Sequence, residues 1–178
     1  VVIATVITQQ VRGHSFFTWQ LDRRGINTKG GRESSLMTTT HVSDVMSHRF
    51  TPVEQSLNIN GVREKLLTAP HGELFVVDDN GGLFGTITLG DLSDSAFDHS
   101  IDDVVNARDV ARLHPPSLSA GDTLEGALKM MQDTGEEHVA VVADRKSMKL
   151  VGFLHEIDVM LIYNRALLDA RREERGEI

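Results

Sequence analysis

The apolar positions along the chain form a pattern that occurs twice. Residues 74–77 (Leu-Phe-Val-Val) match residues 139–142 (Val-Ala-Val-Val), which lie 65 positions later. Residues 83–87 match residues 150–154 at an offset of 67 positions. Matches that keep one order, interrupted by a single short insertion, indicate an internal repeat of about 55 residues.

The pattern predicts that each copy begins with a short strand followed by a helix. An extended piece, at 50–53 in the first copy and 117–118 in the second, precedes an amphipathic segment. Asp122 and Glu125 have the spacing of a capping box at the start of the second helix. The apolar positions that we assign to the helices are Leu57, Val62, Leu66 and Leu67 in the first copy and Leu124, Ala127, Leu128 and Met131 in the second.

A β-hairpin is expected after the helix in each copy. The first pairs residues 74–78 with 83–87 across Asp-Asn-Gly-Gly, which is a strong turn signal. The second pairs residues 139–143 with 150–154 across a longer turn. With these hairpins, the element order of each copy is β-α-β-β, and one more helix completes it.

That final helix starts near Thr88 in the first copy and near His155 in the second. The second example continues to about Arg175, where charged residues predict a solvated face. Between the copies, residues 100–103 carry another capping pattern, so we expect a short linking helix there. The predicted fold class is α/β, in the α+β sense, with the order β-α-β-β-α twice.

The net charge of −8 is unevenly distributed. Residues 1–36 carry five basic and two acidic side chains, for +3, and the remainder carries 13 basic and 24 acidic ones, for −11. The acidic balance argues against nucleic acid as a partner, because neutralising phosphates needs clustered Lys and Arg. The chain has no cysteine, which excludes a disulfide scaffold and a thiol nucleophile.

The N-terminal part of the sequence allows two interpretations. Its first eight residues are mostly apolar, too few to span a bilayer, which needs roughly 20. They are either a buried element of the domain or the cytosolic end of a transmembrane helix. Basic residues and an aromatic cluster at 16–19 follow, as at a cytoplasmic membrane face. We therefore assign residues 1–26 to a helix end and juxtamembrane segment, and the Gly-, Ser- and Lys-containing residues 27–39 to a flexible linker.

The repeat, together with one motif, resembles a tandem cystathionine-β-synthase (CBS) domain pair. The motif is Gly-x-x-Thr-x-x-Asp, present as Gly85-Thr86-Ile87-Thr88-Leu89-Gly90-Asp91 at the end of the first hairpin. The resemblance implies two β-α-β-β-α motifs packed with pseudo-two-fold symmetry. It implies these boundaries: a first CBS motif at 40–99, a connecting segment at 100–108, a second CBS motif at 109–165 and the end of the C-terminal helix at 166–178.

The segment from Phe16 to Ile26 is similar to the juxtamembrane segment of voltage-gated chloride channel family proteins, in which it precedes two CBS motifs. This resemblance implies a cell membrane protein that carries the chain on its cytoplasmic side. The implied partners are a second copy of the chain, forming a homodimer, and the transmembrane domain of the same polypeptide. We therefore expect a cytoplasmic regulatory and dimerisation module of a chloride channel or chloride/proton antiporter.

The resemblance also implies nucleotide-binding residues. In CBS pairs the Thr-x-x-Asp element, here Thr88 and Asp91, offers a hydroxyl to phosphate and a carboxylate to ribose hydroxyls. The second pocket would use Asp158, together with Thr40 and His71 from the opposite copy. The spacing of Thr88 and Asp91 is equally that of a helix N-cap, and this alternative stays open.

Each implied pocket departs from the family pattern. In the second copy His155 replaces the hydroxyl residue, and Glu156 falls where phosphate would approach. The Asp91 pocket would borrow the positions near Val105, Glu136 and Glu137, and two carboxylates disfavour an anion. ATP, ADP or AMP is therefore expected as a regulatory ligand rather than as a required cofactor.

We identify no catalytic residues and no metal site. The sequence contains no Ser nucleophile elbow, phosphate-binding Gly-Lys loop or His-Glu-x-x-His pattern, so we do not expect an enzyme. The eight histidines show no pair at helical or strand ligand spacing. Two alternatives remain: a ligand-free dimerisation scaffold, in which both Asp elements are only caps, and a divalent-cation-sensing tail of another transporter, with the cation held by acidic clefts.

Overall fold

The computed structural model describes residues 32–69, 71–92, 102 and 104–174. The elements in chain order are α1 (Arg32–Thr39), a 3-10 helix (Val42–Asp44), β1 (Pro52–Glu54), α2 (Ile59–Thr68), β2 (Glu73–Val77), β3 (Leu83–Thr88), α3 (Leu89–Leu92), α4 (Ala107–Val110), β4 (Arg112–Leu113), β5 (Ser117–Ser119), α5 (Leu124–Thr134), β6 (His138–Val142), β7 (Leu150–His155) and α6 (Glu156–Glu174). The α+β class and the order β-α-β-β-α are confirmed, as β1-α2-β2-β3-α3 and β5-α5-β6-β7-α6.

The described residues form two compact units that cut across the two copies. The sheet unit comprises the described residues of 46–121 and 139–154, and the helical unit comprises residues 32–45, 122–138 and 155–174. The sheet unit therefore contains hairpin strands from both copies. The helical unit contains α1, the 3-10 helix, α5 and α6.

The first sheet has the strand order β1-β2-β3-β4. Strands β1 and β2 run parallel, whereas the β2–β3 hairpin and the β3–β4 pair are antiparallel. The helix α2 begins after Asn58, whose side chain accepts a hydrogen bond from the Gly61 amide at 2.8 Å. The core of this part consists of Val53, Ile59, Val62, Leu66, Leu74, Val76, Ile87, Leu92 and Ala107.

One predicted core position of α2 is wrong. Leu67 is 84% exposed, whereas Val62 and Leu66 are buried. Residues four apart share a helix face, and Leu67 lies about 100° further round the helix than Leu66. Leu57 precedes the helix, and the buried Ile59 completes its apolar face instead.

The second sheet has the strand order β5-β6-β7, with β5 parallel to β6. Both predicted hairpins are confirmed within a residue or two of their expected ends. The turn ends of the two hairpins are joined by an antiparallel bridge between Gly82 and Lys149. Two hydrogen bonds flank it, from Leu83 N to Met148 O at 2.8 Å and from Leu150 N to Gly81 O at 3.0 Å.

The helical unit packs α1 against α5 and α6. The predicted capping box at Asp122 and Glu125 is wrong, because the N-cap of α5 is Thr123, whose hydroxyl accepts a hydrogen bond from Gly126 N at 3.2 Å. A bond from Leu124 N to Thr40 O, at 3.0 Å, fixes where this helix begins.

The linkers differ from the sequence expectation where the structure describes them. Residues 32–39 of the predicted flexible linker form the helix α1, whose Met37 is buried. Residues 1–31, which carry the predicted juxtamembrane segment, lie outside the described residues, and so does most of the linking helix expected at 100–103. The short elements α4 and β4 were not expected, because four- and two-residue segments carry no periodic signal.

Candidate nucleotide site

Thr88 and Asp91 are in direct contact where β3 leads into α3. The backbone N–H of Thr88 donates to Asp91 Oδ2 at 2.7 Å, and the Thr88 hydroxyl donates to the same oxygen at 2.8 Å. This is the local geometry of a helix cap, so the capping interpretation of the motif holds. The other oxygen, Asp91 Oδ1, makes no hydrogen bond within the part of the chain that the structure describes, and Asp91 is partly exposed.

A buried acidic residue lies beside this pair on the sheet. Glu73 is the cross-strand neighbour of Thr88 and is only 9% exposed. Its carboxylate lies 3.8 Å from Arg112 Nη2, and the same nitrogen donates to Thr86 Oγ1 at 3.3 Å. Glu73 and Arg112 could not be predicted from the sequence, because only the pairing of β2 and β4 with β3 brings them beside the motif.

The glycine of the motif has a packing role. A Cβ at Gly85 would lie 2.8 Å from the carbonyl oxygen of Arg112, closer than real Cβ contacts. The matching residue of the second copy, Gly152, meets the same restriction, because its Cβ would lie 2.7 Å from Ser47 O. In both copies the glycine therefore allows another segment to pair closely with the second strand of the hairpin.

The second copy lacks the Thr–Asp contact. Asp158 is exposed and makes no hydrogen bond or ion pair with any described residue. The ring of His155 instead stacks on that of His138, with 4.3 Å between the centroids. The buried Glu156 begins α6, and its backbone N–H donates to Glu137 O at 2.9 Å. The histidine pair could not be predicted from the sequence, because its members are 17 positions apart and meet only across the hairpin.

The other three predicted site residues, Thr40, His71 and Asp158, have different neighbours. Thr40 belongs to the helical unit with Asp158, and it lines a groove between α1 and α6 that does not include Asp158. His71 belongs to the sheet unit, where its ring lies 4.8 Å from that of Phe153. Of the five predicted site residues, Thr88 and Asp91 are the pair for which the structure records direct contact.

The described residues contain neither a metal-binding cluster nor a helix able to span a membrane. They contain no group of three or more His, Asp or Glu side chains arranged to hold a metal ion. None of the helices in this part of the chain combines the length and the apolar character needed to cross a bilayer.

Solved structures with a similar fold include complexes with adenine nucleotides. A crystal structure of CBSX2 in complex with AMP is 27% identical, covers 74% of this chain and 98% of its own, and has a TM-score of 0.58. A CBS domain-containing protein from Bacillus anthracis is 17% identical over 74% of this chain and 98% of its own, with a TM-score of 0.64. The cytosolic domain of the Mg²⁺ channel MgtE in complex with ATP is 20% identical over 68% of this chain and 48% of its own, with a TM-score of 0.57.

A comparison with curated proteins gives no significant match. The sequence model of the CBS domain, in contrast, matches the chain twice, at residues 42–97 and 107–165. These two matches cover well over half of the chain and contain both β-α-β-β-α units except for the end of α6. The chain therefore belongs to the CBS domain family and carries a tandem CBS pair.

Proposed function

We propose that this CBS pair is a regulatory module that binds an adenine nucleotide at Thr88 and Asp91. The observation that carries the proposal is the fixed carboxylate of Asp91. The Thr88 amide and hydroxyl hold Oδ2 at 2.7 and 2.8 Å, which leaves Oδ1 to accept hydrogen bonds. Support comes from CBSX2, which is 27% identical and was crystallised with AMP.

A ribose is the part of the ligand that this geometry suits. Its two hydroxyl groups are donors, and a carboxylate that is already oriented loses little freedom when it accepts them. The site attracts a phosphate group less strongly, because the buried carboxylate of Glu73 partly neutralises the positive charge of Arg112 beside it. We therefore expect a nucleoside monophosphate to bind at least as well as the triphosphate.

Calorimetric titration of the purified chain with AMP, ADP and ATP tests this site. Heat of binding is expected with the original sequence, and Asp91→Asn should weaken binding by tenfold or more, about 1.4 kcal/mol. Asp79→Asn is the matched control, because Asp79 is an exposed carboxylate in the first hairpin turn. Equal heats for Asp91→Asn and the original sequence would place the ligand elsewhere.

The pocket predicted from Thr40, His71 and Asp158 stays a prediction of the resemblance. Asp158→Asn in the same titration tests it, since a second nucleotide at this pocket would lower the stoichiometry when Asp158 is changed. An unchanged stoichiometry would leave Thr88 and Asp91 as the single site.

We further propose that the module is the cytoplasmic tail of a chloride channel or chloride/proton antiporter and that it forms homodimers. The sequence from Phe16 to Ile26 supports this proposal, together with its position ahead of two CBS domains. A nucleotide that binds one tail conformation better than another would shift the equilibrium between them and bias the transmembrane domain.

Chloride flux through the full polypeptide, reconstituted in liposomes, tests the regulatory role. Adding AMP on the side of the CBS pair should change the flux, and Asp91→Asn should abolish that response while leaving the flux without nucleotide unchanged. A protein that transports no chloride would contradict the channel assignment. A melting temperature that responds to Mg²⁺ but not to nucleotide would support the divalent-cation alternative, and one that responds to neither would support the ligand-free scaffold.

A further inference from the structure

An arginine side chain crosses the strand that leads into the Thr88–Asp91 pair. Arg112 lies opposite Thr86 on β4, and Glu73 lies opposite Thr88 on β2, on the other side of β3. Arg112 Nη2 donates to Thr86 Oγ1 at 3.3 Å and lies 3.8 Å from Glu73 Oε1. The guanidinium group therefore reaches over β3 from one neighbouring strand to the other.

These side chains share a face of the sheet with Thr88. Residues directly opposite on paired strands project to one face, and so do residues two apart on one strand. By this rule Thr88 projects to the same face as Glu73 and Thr86, and Arg112 projects there as well. Since Thr88 donates to Asp91 at 2.8 Å, a ligand that Asp91 binds would have Arg112 and Glu73 as its neighbours.

The two members of the ion pair differ in burial. The Glu73 side chain is 8% exposed, whereas that of Arg112 is 42% exposed. A buried carboxylate is strongly unfavourable without a cation beside it, so Glu73 depends on Arg112. Arg112 still faces solvent, and a guanidinium group matches the geometry of phosphate oxygens. It can therefore contact a phosphate while Glu73 stays close to the same ligand.

We propose that Glu73 and Arg112 select the ligand by its number of phosphates. Arg112 contacts the first phosphate, and Glu73 repels the additional charge of a diphosphate or triphosphate, so the selected class is a nucleoside monophosphate. The proposal rests on the proposed nucleotide site at Thr88 and Asp91, and it names the residues that determine which nucleotide that site prefers.

The balance of charges explains the preference. Among these side chains, the two carboxylates of Glu73 and Asp91 accompany one guanidinium group. A single phosphate can pair with Arg112, but each further phosphate adds negative charge without adding a cation. Because Glu73 is buried, salt screens its charge less than that of a surface carboxylate. The repulsion should therefore persist at physiological ionic strength.

The second copy has different residues at the matching positions. The offset of 65 residues places His138 where the first copy has Glu73, and Ser47 where the first copy has Arg112. The structure supports the match of Ser47 with Arg112, because the carbonyl oxygen of each approaches the matching glycine of a hairpin. Selection by an Arg–Glu pair is therefore expected at the first copy and not at the second.

Calorimetric titration of the full chain with adenosine, AMP and ATP tests the selection. Glu73→Gln keeps the size of the side chain and removes its charge, so the affinity for ATP should rise about tenfold. The gain for AMP should be smaller, and the affinity for adenosine, which has no phosphate, should stay the same. Glu54→Gln is the matched control, because Glu54 is an exposed carboxylate opposite Val77, at the far end of β2 from Glu73. It should change none of the three affinities.

The double variant Glu73→Gln, Arg112→Gln identifies the cation that contacts phosphate. If Arg112 supplies it, the gain in ATP affinity should disappear, and AMP should bind more weakly than it does to Glu73→Gln. Arg112→Gln alone would leave a buried carboxylate without its cation and could unfold the chain. The double variant removes both charges and avoids this, and melting curves establish that each variant is folded.

Three results would overturn the proposal, and they differ in what they leave standing. An equal gain for adenosine and ATP in Glu73→Gln would show that Glu73 acts through the shape of the site rather than through its charge. An unchanged ratio of ATP to AMP affinity, with binding still weakened by Asp91→Asn, would remove the selection and leave the nucleotide site standing. If none of the three ligands binds the original chain, the nucleotide site and the selection are both wrong.

Discussion

Gly85 and Gly152 occupy matching positions in the two copies, each where another segment of backbone approaches the hairpin. At Gly152 an added Cβ would lie 2.7 Å from Ser47 O. Gly152→Ala should therefore destabilise the protein by about 1–3 kcal/mol, because the paired segment must move. Gly121→Ala is the control, since a Cβ there meets nothing within 4 Å. Chemical denaturation measures both, and equal stabilities would show that the segment from Ser47 yields without cost.

The stability of the folded chain should depend on pH through the protonation of one residue, Asp144. The Ser147 backbone N–H, the Ser147 hydroxyl and the Lys146 N–H all donate to its carboxylate and lower the pKa of Asp144 below its usual value of 3.8. A carboxyl group whose pKa is lower in the folded state contributes stability above its unfolded pKa and loses it as the pH falls through the folded pKa.

The stability difference between the original chain and Asp144→Asn is therefore expected to be constant near neutral pH. It should shrink as the pH falls below the usual range of a carboxyl group, where Asp144 becomes protonated. Melting temperatures measured from neutral to strongly acidic pH check this, with Asp79→Asn as the control in the other hairpin turn. A difference that stays constant to the lowest pH would show that the charge of Asp144 does not stabilise the turn.

At the scale of elements, the start of α5 is decided by one hydroxyl. The Thr123 side chain accepts a hydrogen bond from Gly126 N at 3.2 Å. Thr123→Ala should lower the free energy of unfolding by about 1 kcal/mol, and Thr123→Ser, which keeps the hydroxyl, should recover most of it. Urea denaturation measures both variants. If Ala and Ser behave alike, methyl packing rather than capping explains the role of Thr123.

The sequence predicts these elements well where the pattern is long and repeated. The hairpins at 74–87 and 139–154, and the contact between Thr88 and Asp91, follow from alternation, turn signals and cap spacing. The predicted cap of α5 lies one residue too early, because Asp122 and Thr123 are both good capping residues. The bond from Leu124 N to Thr40 O holds the residue after Thr123 in place, and it joins segments more than 80 positions apart that local sequence cannot relate.

The other differences between prediction and structure also come from contacts between residues that are distant in the sequence. The helix α1 has a polar composition typical of a linker, and its buried Met37 lies in a unit where α1 packs against α5 and α6. Glu73 and Arg112 meet beside Thr88 through strand pairing, and His138 meets His155 in the same way. Local propensity contains no information on any of these approaches.

For the whole molecule, the compact units and the sequence repeats divide the chain differently. The sheet unit joins strands of both copies through the bridge of Gly82 with Lys149. Its second core packs Phe75 of the first copy against Phe153 of the second, with ring centroids 6.0 Å apart. This second core is therefore built from both copies, and we expect the two hairpins to unfold together.

Phe153→Ala tests this cooperation, because Phe153 is 2% exposed and its truncation should cost about 3–5 kcal/mol. If the copies share one cooperative unit, hydrogen exchange should accelerate in β2 of the first copy as much as in β6 of the second, roughly 10²- to 10⁴-fold. The control variant Leu67→Ala, at an exposed position, should change the exchange rate of neither strand. Protection that persists in β2 while β6 exchanges freely would mean that each copy is stable without the other. The packing of β2 favours the opposite result: Phe75 lies in the core shared with the second hairpin, and its neighbour Val76 lies in the first core, so both strands should lose protection together.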